Sequence, residues 1–395
     1  MTHRLVSRRR SLRSIARAAA AAVAASALPA FAQEAANGGV AATFGTPSEQ
    51  RERIGAGPSR IALLVPPANG VYRRAALALT DGVRAAHSRD GAGFAVEVIE
   101  TTESGPELRG LCDRLAARGF QLAIGPLTRN AVTALAATGP LPLPVLALNQ
   151  TDGVAPPPNM ALFGLSIENE AEQVASYAYR DAASFQTARR PRAAIVHDGS
   201  PLSQRSVGAF IERWYQSGGE YYEAVETDMA SASISTLRSA LRGVDADVWF
   251  AAMPPSRVPT LRGAIGERAF VYGTSVLNSG ATPEMGDRDP KAPVIRSPEL
   301  DGVRLVVMPW QVQPDHPAVM AYPRQRELNV ELQKVYALGI DALRLGQVLM
   351  AGETHADIDG VTGLLRLDLA RDARVDRLPL LAEYRDGVLG IAAPR

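Results

Sequence analysis

The chain contains 395 residues, of which 42 are Lys or Arg and 41 are Asp or Glu. This near balance, with the basic residues scattered along the chain, excludes the clustered positive charge by which nucleic-acid-binding proteins neutralise phosphate. The length suits two domains, since single domains commonly span about 100 to 200 residues.

The first residues have the features of a cleavable export signal. Basic residues from Arg4 to Arg17 precede an apolar run from Ala18 to Leu28, and Ala30-Phe31-Ala32 supplies the small residues of a cleavage site. We therefore predict a signal peptide over residues 1–32 and a mature protein in the periplasm. The segment Ser7–Arg13 resembles a twin-arginine signal, so the twin-arginine and Sec routes both remain open. No later stretch is apolar for long enough to span a bilayer.

Residues 33–59 are rich in Gly, Ala, Ser and Pro without apolar periodicity, which predicts a flexible linker. The single cysteine, Cys112, shares a predicted helical face with Leu108, Leu111 and Leu115. That spacing predicts a buried packing residue rather than a reactive thiol, which would need an exposed electropositive site. Because Cys112 lies far from the predicted cleavage site, no lipid-anchor cysteine is expected.

From Arg60 onward, apolar runs of strand length alternate with amphipathic helical stretches, the pattern of βαβ units on a parallel sheet. A first set of these runs predicts one Rossmann-like lobe. Its strands are Ile61–Val65, Phe94–Ile99, Gln121–Ile124 and Val145–Leu148, and its helices surround Leu79, Cys112 and Thr128–Ala137.

A second set of runs predicts a second Rossmann-like lobe. Its strands are Ala193–His197, Tyr221–Val225, Asp247–Ala251 and Phe270–Tyr272, and its helices surround Phe210, Ile234–Leu241 and Leu261. A further strand, Val303–Val307, and a long helix, Val335–Leu349, come too late to belong to the second lobe alone. We therefore predict that the chain returns to its first lobe. The predicted domains are residues 60–165 plus 300–345 for lobe 1 and residues 166–299 plus 346–395 for lobe 2.

The sequence marks of the common α/β enzymes are missing. A dinucleotide-binding loop would need three spaced glycines straight after the first strand, but Gly55-Ala56-Gly57 precedes that strand. Neither a phosphate-binding P-loop nor a G-x-S-x-G nucleophile turn occurs in the sequence. The histidines are dispersed, and none has a second His or Cys at metal-ligand spacing. We therefore expect no catalysis, no cofactor and no metal site.

Polar residues follow the carboxyl ends of several predicted strands, where open α/β sheets face a ligand crevice. They could hydrogen-bond a small polar solute held between the lobes, or they could form polar loops and cap the following helices. Only one of them carries a formal charge, whereas a buried amino acid needs both its carboxylate and its ammonium matched. We therefore expect common free amino acids to bind weakly or not at all. The candidate residues are Asn149, Gln150, Ser166, His197, Asp198 and Ser275.

Six short segments stand out by their order and spacing along the chain after the leader. Gly125-Pro126 lets the chain turn off a strand before a helix, and Gly360–Gly363 predicts a turn before the strand Leu364–Leu367. Together the six segments resemble the penicillin-binding-protein activator family, LpoA or LppC, whose folded part is a type I periplasmic-binding-protein domain. The segments are Ile61–Pro66, Ile124–Leu127, Val145–Gln150, Phe163–Ala171, Tyr336–Ala342 and Gly360–Gly363.

The resemblance implies two Rossmann-like lobes joined by three crossovers, near residues 161–172, 270–303 and 330–350. It also implies a non-catalytic role, in which the protein docks onto a bifunctional penicillin-binding protein and stimulates its peptidoglycan synthesis. The alternative hypothesis is a solute-binding protein of an ABC transporter for amino acids or another small polar ligand, because the same fold serves both functions.

Overall fold

The computed structural model describes residues 52–91, 93–185, 188–222, 224–227, 233–266, 268–280, 296–325 and 328–393. The chain divides into two compact units. Among the described residues, the first unit holds those up to Ser166 together with Met308–Leu380, and the second holds Ile167–Val307 and those from Leu381 onward. The predicted signal peptide, residues 1–32, lies outside the described residues, as does most of the predicted linker.

The N-terminal part of the first unit alternates strands and helices. The strands form one sheet in the order β1-β3-β2-β4-β5-β6, in which β1 runs antiparallel to β3 and the other neighbours are parallel. The elements are β1 (Glu52–Ile54), β2 (Ser59–Val65), α1 (Arg73–Asp90), β3 (Ala95–Glu100), α2 (Gly105–Ala117), β4 (Leu122–Ile124), α3 (Arg129–Ala136), β5 (Val145–Ala147) and β6 (Met160–Leu162).

The second unit continues this alternation in a sheet of its own. Its strands follow the order β17-β16-β12-β11-β10-β7-β8, and β9 also pairs with β7. The elements are α4 (Ile167–Phe185), β7 (Arg192–His197), α5 (Pro201–Gln216), β8 (Glu220–Tyr221), β9 (Val225–Glu226), α6 (Ile234–Ala240), β10 (Val248–Ala252), α7 (Val258–Ile265), β11 (Val271–Gly273) and β12 (Arg304–Val307).

The remaining elements follow β12. The first unit gains three helices and a small antiparallel sheet in the order β13-β14-β15, and the last two strands join the second unit. The elements are α8 (Pro309–Val312), α9 (Pro317–Met320), α10 (Val330–Met350), β13 (His355–Asp359), β14 (Leu364–Asp368), β15 (Asp376–Leu378), β16 (Leu380–Arg385) and β17 (Val388–Ile391).

The core of the first unit depends on a close helix pair. Strand β2 is a continuous apolar run whose residues Ile61–Leu64 are fully buried, as expected for a parallel strand covered on both faces. On one of these faces, α1 packs against α10 through Gly82 and Gly339. A Cβ on Gly82 would lie 2.0 Å from the Tyr336 carbonyl oxygen, so only glycine permits this approach. Cys112 is also fully buried, which confirms its predicted packing role, and burial raises the pKa of its thiol to about 11.

The core of the second unit combines stacked aromatic rings with a buried ion network. The ring of Phe210 stacks on Phe250 with centroids 4.2 Å apart. On β12, Arg304 is 2% exposed and donates to Asp181 Oδ2 at 2.7 Å and Glu383 Oε2 at 3.2 Å. This guanidinium therefore connects its own strand to α4 and β16, which come from distant parts of the sequence.

The predicted linker over residues 33–59 is wrong at its C-terminal end. Strand β1 lies within it, because Glu52–Ile54 pair antiparallel with Val96–Val98 of β3 and Ile54 is buried. Strand β2 also begins there, at Ser59. The predicted strand Tyr221–Val225 is instead two short strands, β8 and β9.

The two units also depart from the predicted domain boundaries in the last third of the chain. Residues 300–307 lie in the second unit, because β12 pairs with β11, and residues 346–380 lie in the first. There, the Leu162 amide donates to the Ala373 carbonyl oxygen at 2.8 Å, which ties this late segment to β6. The chain changes unit three times, after Ser166, Val307 and Leu380. The first change matches the expected crossover near 161–172, and the other two come later than expected.

Candidate functional site

In the first unit, Asn149 connects the loops that follow β4 and β5. Its Nδ2 donates to the Leu127 carbonyl oxygen at 3.1 Å, and its Oδ1 accepts from the Gln150 amide at 2.9 Å. Gly164 packs against this loop, since a Cβ there would lie 3.0 Å from Asn149 Cα. Both polar atoms of the Asn149 side chain therefore bond loop backbone. Gln150 is half-buried, and Ser166, the last residue before α4, is buried.

In the second unit, His197 and Asp198 shape the turn between β7 and α5. The His197 ring is buried, and its Nδ1 accepts from the Gly199 amide at 3.1 Å. Asp198 Oδ1 accepts from the Ser200 amide at 3.0 Å. Burial alone would raise the pKa of Asp198, but hydrogen bonds from Ser203 and Ser200 outweigh it and lower the pKa. Ser200 also caps α5, because its Oγ accepts from the Ser203 amide.

Ser275 is held by a buried carboxylate on α4. Its backbone amide donates to Glu170 Oε2 at 3.0 Å, and both residues are buried. Two residues earlier on the same helix, Glu168 forms an ion pair with Arg205 Nε of α5 at 3.1 Å. The first turn of α4 thus anchors both the loop after β11 and the start of α5.

Within the first unit, Asn149 and Gln150 are neighbours in the loop after β5, and within the second unit, His197 and Asp198 are neighbours at the end of β7. Several of their polar atoms hold the loops in which they lie, as the capping alternative expects. Their role as ligand contacts remains a prediction.

The sequence reasoning missed a buried carboxylate, Asp341, in the middle of α10. Its side chain is fully buried and accepts from the Thr362 amide at 2.8 Å, the Thr362 hydroxyl at 2.7 Å and the Val361 amide at 3.1 Å. Arg344 Nη1 lies 3.1 Å from its Oδ1. Burial raises the pKa of Asp341, and Arg344 with the three hydrogen bonds opposes that rise.

The Asp341 carboxylate joins two of the six segments singled out in the sequence. Asp341 belongs to one segment, and the turn Gly360–Gly363 to another. A Cβ on Gly360 would lie 2.6 Å from Asp341 Oδ2, and Gly363 adopts a φ of 140° that favours glycine. The available signal was an Asp within the apolar run Ala337–Leu343 of this helix, because a charge buried at such a position needs hydrogen-bonding partners.

Metal-binding clusters and membrane-spanning helices are both absent from the described residues. Within the ranges described above, no three side chains of His, Cys, Asp or Glu gather closely enough to hold a metal ion. Over the same ranges, no helix combines the length and the apolar character needed to cross a bilayer.

The chain matches a known protein family over most of its length. The family is described as "LppC putative lipoprotein", and the match covers residues 55–387. Among curated proteins, the penicillin-binding protein activator LpoA of Pectobacterium parmentieri is 36% identical over 124 residues, which are 31% of this chain and 17% of that protein. The chain spans less than half the length of the curated LpoA relatives it matches.

Solved structures share the fold. A structure from Chromobacterium violaceum, titled as a putative branched-chain amino acid ABC transporter, is 30% identical with a TM-score of 0.66, covering 82% of this chain and all of that one. The LpoA C-domain of Haemophilus influenzae, titled as a regulator of PBP1A, is 21% identical with a TM-score of 0.67, covering 85% of this chain and all of that domain. These similarities confirm the predicted type I periplasmic-binding-protein-like fold.

Proposed function

Because this chain belongs to the LppC family, we propose that it is a non-catalytic regulator that docks onto a bifunctional penicillin-binding protein and stimulates its peptidoglycan synthesis. The single observation that carries this proposal is the family match over residues 55–387, which includes all but the outermost described elements of both units. A periplasmic location is part of the proposal, because such synthases act in the cell envelope.

The local geometry at the strand ends supports a role through protein contacts. Asn149 bonds the backbone of its own loop and of the loop after β4, His197 bonds the backbone of its own loop, and Glu170 accepts from the Ser275 amide. Groups engaged in this way stabilise the loops, and a solute would have to replace those bonds to use them. The two units therefore supply fixed surfaces, which suit docking onto a partner.

The test is a reconstituted synthesis assay with the full mature chain and a purified bifunctional penicillin-binding protein from the same organism. We expect the chain to bind the synthase and to increase its rate of glycan polymerisation or cross-linking in a saturable manner, while producing nothing by itself. A solute-binding protein of the same fold serves as the control. The proposal fails if the chain neither binds the synthase nor changes either rate.

A second candidate function is solute binding for an ABC transporter. It is favoured by the Chromobacterium violaceum structure, which this chain covers completely at 30% identity and whose title names a branched-chain amino acid transporter. The candidate contacts are the six strand-end residues, of which Asp198 is the one with a formal charge. A carboxylate of lowered pKa at that position could pair with a ligand ammonium.

Calorimetry with a panel of amino acids, together with a thermal-shift screen, separates the two candidates. We expect the common amino acids to bind weakly or not at all. Binding at micromolar affinity, about −8 kcal/mol, would instead favour the transport function, above all if Asp198→Asn abolished it and Asn149→Ala weakened it.

A further inference from the structure

The second unit has a charged surface at the amino ends of its parallel strands, which we call the amino edge. Strands β7, β10 and β11 begin there, at Arg192, Val248 and Val271. The predicted ligand contacts of this unit lie at the opposite, carboxyl ends of the same strands. A partner bound at the amino edge would leave those carboxyl ends uncovered.

The centre of the amino edge is an ion-paired cluster. Arg189 Nη1 lies 2.6 Å from Asp247 Oδ2, and Arg192 Nη1 lies 3.7 Å from Asp245 Oδ2. Asp247 also accepts from the Arg192 amide at 2.8 Å, which fixes the cluster to the first residue of β7. These charges are matched within the fold, although the Asp245 side chain remains 77% exposed.

Three further arginines, Arg190, Arg242 and Arg268, are exposed and lie in the segments that lead into β7, β10 and β11. Arg190 lies between the paired Arg189 and Arg192, Arg242 precedes Asp245 by three residues, and Arg268 lies shortly before β11. Within the described ranges, none of the three forms an ion pair. No carboxylate of the described residues therefore matches their charges, and a partner's carboxylates could do so.

An aromatic pair lies at the same edge of the sheet, since Phe270 directly precedes β11. Phe185, the last residue of α4, is 58% exposed and stacks on Phe270 with ring centroids 5.9 Å apart. The Phe270 carbonyl oxygen accepts from the Trp249 amide at 2.8 Å, so the pair is fixed next to the start of β10. A large exposed apolar ring on the same edge as exposed arginines has the composition of an interface, because aromatic residues and Arg dominate binding energy at protein contacts.

We propose that the amino edge is the docking surface for an acidic, partly apolar patch on a folded protein, namely the synthase of the proposed function, on which this inference rests. Arg190, Arg242 and Arg268 would pair with carboxylates of the partner while Phe185 packs against apolar side chains. Asp245 and Asp247 lie at the same edge as the arginines, so the amino edge is not uniformly basic, as a surface for an anionic membrane or nucleic acid would be. The mixture of signs instead fits the alternating charges of a protein surface.

The test compares a variant of the amino edge with a matched variant elsewhere. The edge variant carries Arg190→Glu, Arg242→Glu and Arg268→Glu in the full mature chain. The control carries the same change of charge at three exposed arginines of the first unit that form no ion pair in the described ranges. These are Arg73→Glu, Arg114→Glu and Arg371→Glu.

Binding to the purified synthase is measured by surface plasmon resonance at low and high salt. We expect the edge variant to weaken binding at least about tenfold and to reduce its salt dependence, while the control binds as the wild type does. A second variant, Phe185→Ser, should also weaken binding but leave the salt dependence intact. Because all these side chains are exposed, we expect every variant to fold, which circular dichroism checks.

The outcomes separate this inference from the function on which it rests. If the wild-type chain does not bind the synthase, the proposed function fails and the docking surface falls with it. If the wild type binds and the edge variant binds equally well, only the docking surface is overturned. Binding of the wild type to vesicles of anionic phosphatidylglycerol, lost in the edge variant, would assign the amino edge to a membrane surface and would overturn the protein partner.

Discussion

The turn at Gly360–Gly363, which binds the carboxylate of Asp341, and the amino edge of the second unit both involve charged side chains, but the charges are satisfied in different ways. At the turn, Asp341 is fully buried and its oxygens accept three hydrogen bonds from Val361 and Thr362. At the amino edge, Arg190 and its two counterparts are exposed and unmatched within the described ranges. The first region therefore supports the structure of this chain, whereas the second is the surface that we propose for a partner.

Of the substitutions that test this comparison, Asp341→Ala is expected to cause the largest loss of stability. The substitution leaves the amides of Val361 and Thr362 buried without an acceptor, and we expect the free energy of unfolding to fall by about 2–4 kcal/mol. Urea denaturation at neutral pH, followed by circular dichroism, measures it. A loss below about 1 kcal/mol would contradict the structural role of this carboxylate.

A smaller effect is expected from Thr362→Val, which keeps the shape of the side chain but removes the hydroxyl that donates to Asp341 Oδ2 at 2.7 Å. Because the two backbone amides remain, we expect a loss of about 1–2 kcal/mol in the same denaturation experiment. Thr362→Ser retains the hydroxyl and is the matched control. If the serine and valine variants lose the same free energy of unfolding, the hydrogen bond contributes nothing beyond packing.

Asp198 is an intermediate case between the two regions, because its carboxylate holds a loop but is only partly buried. Its pKa is lowered in the folded state, since the hydrogen bonds from Ser203 and Ser200 outweigh the opposing effect of burial. The stability it contributes is therefore present above the unfolded pKa of about 3.9 and is lost as the pH falls through the folded value. We expect wild type and Asp198→Asn to differ in stability at about pH 6 but to converge at about pH 2. Unfolding curves at both pH values test this, and a difference that grows on acidification would contradict it.

The smallest effect on stability is expected from the triple substitution of Arg190, Arg242 and Arg268 by Glu. Because these side chains are exposed and form no ion pair in the described ranges, the free energy of unfolding should change by less than about 0.5 kcal/mol. Thermal melts of the triple variant beside wild type provide the measurement. A large loss of stability would show that the amino edge supports the fold, as the turn does, and would remove the contrast between the two regions.

Much of the fold followed from local pattern. The apolar runs that became β2, β3, β7, β10 and β12 are each nearly continuous, because a parallel strand covered on both faces buries every side chain. The helical spacing around Cys112 was also sufficient, since one apolar face of a helix identifies what it buries. Strand β1 was missed because Glu52-Arg53-Ile54 has two exposed polar residues, and its strand character comes from pairing with β3.

The sequence by itself determined the alternating α/β order, the buried thiol and the positions of glycines that turn the chain. It could not decide which unit receives a segment. Strand β12 lies in the second unit because its backbone pairs with β11. The segment after Met350 lies in the first unit because its backbone bonds to β6. Such backbone bonds do not show in the periodicity of side chains. The role of Asp341 likewise appeared only once the fold had brought it to Thr362, 21 residues later in the chain. A buried charge is stable only when hydrogen-bonding partners surround it. At Asp341, contacts between distant parts of the chain provide those partners.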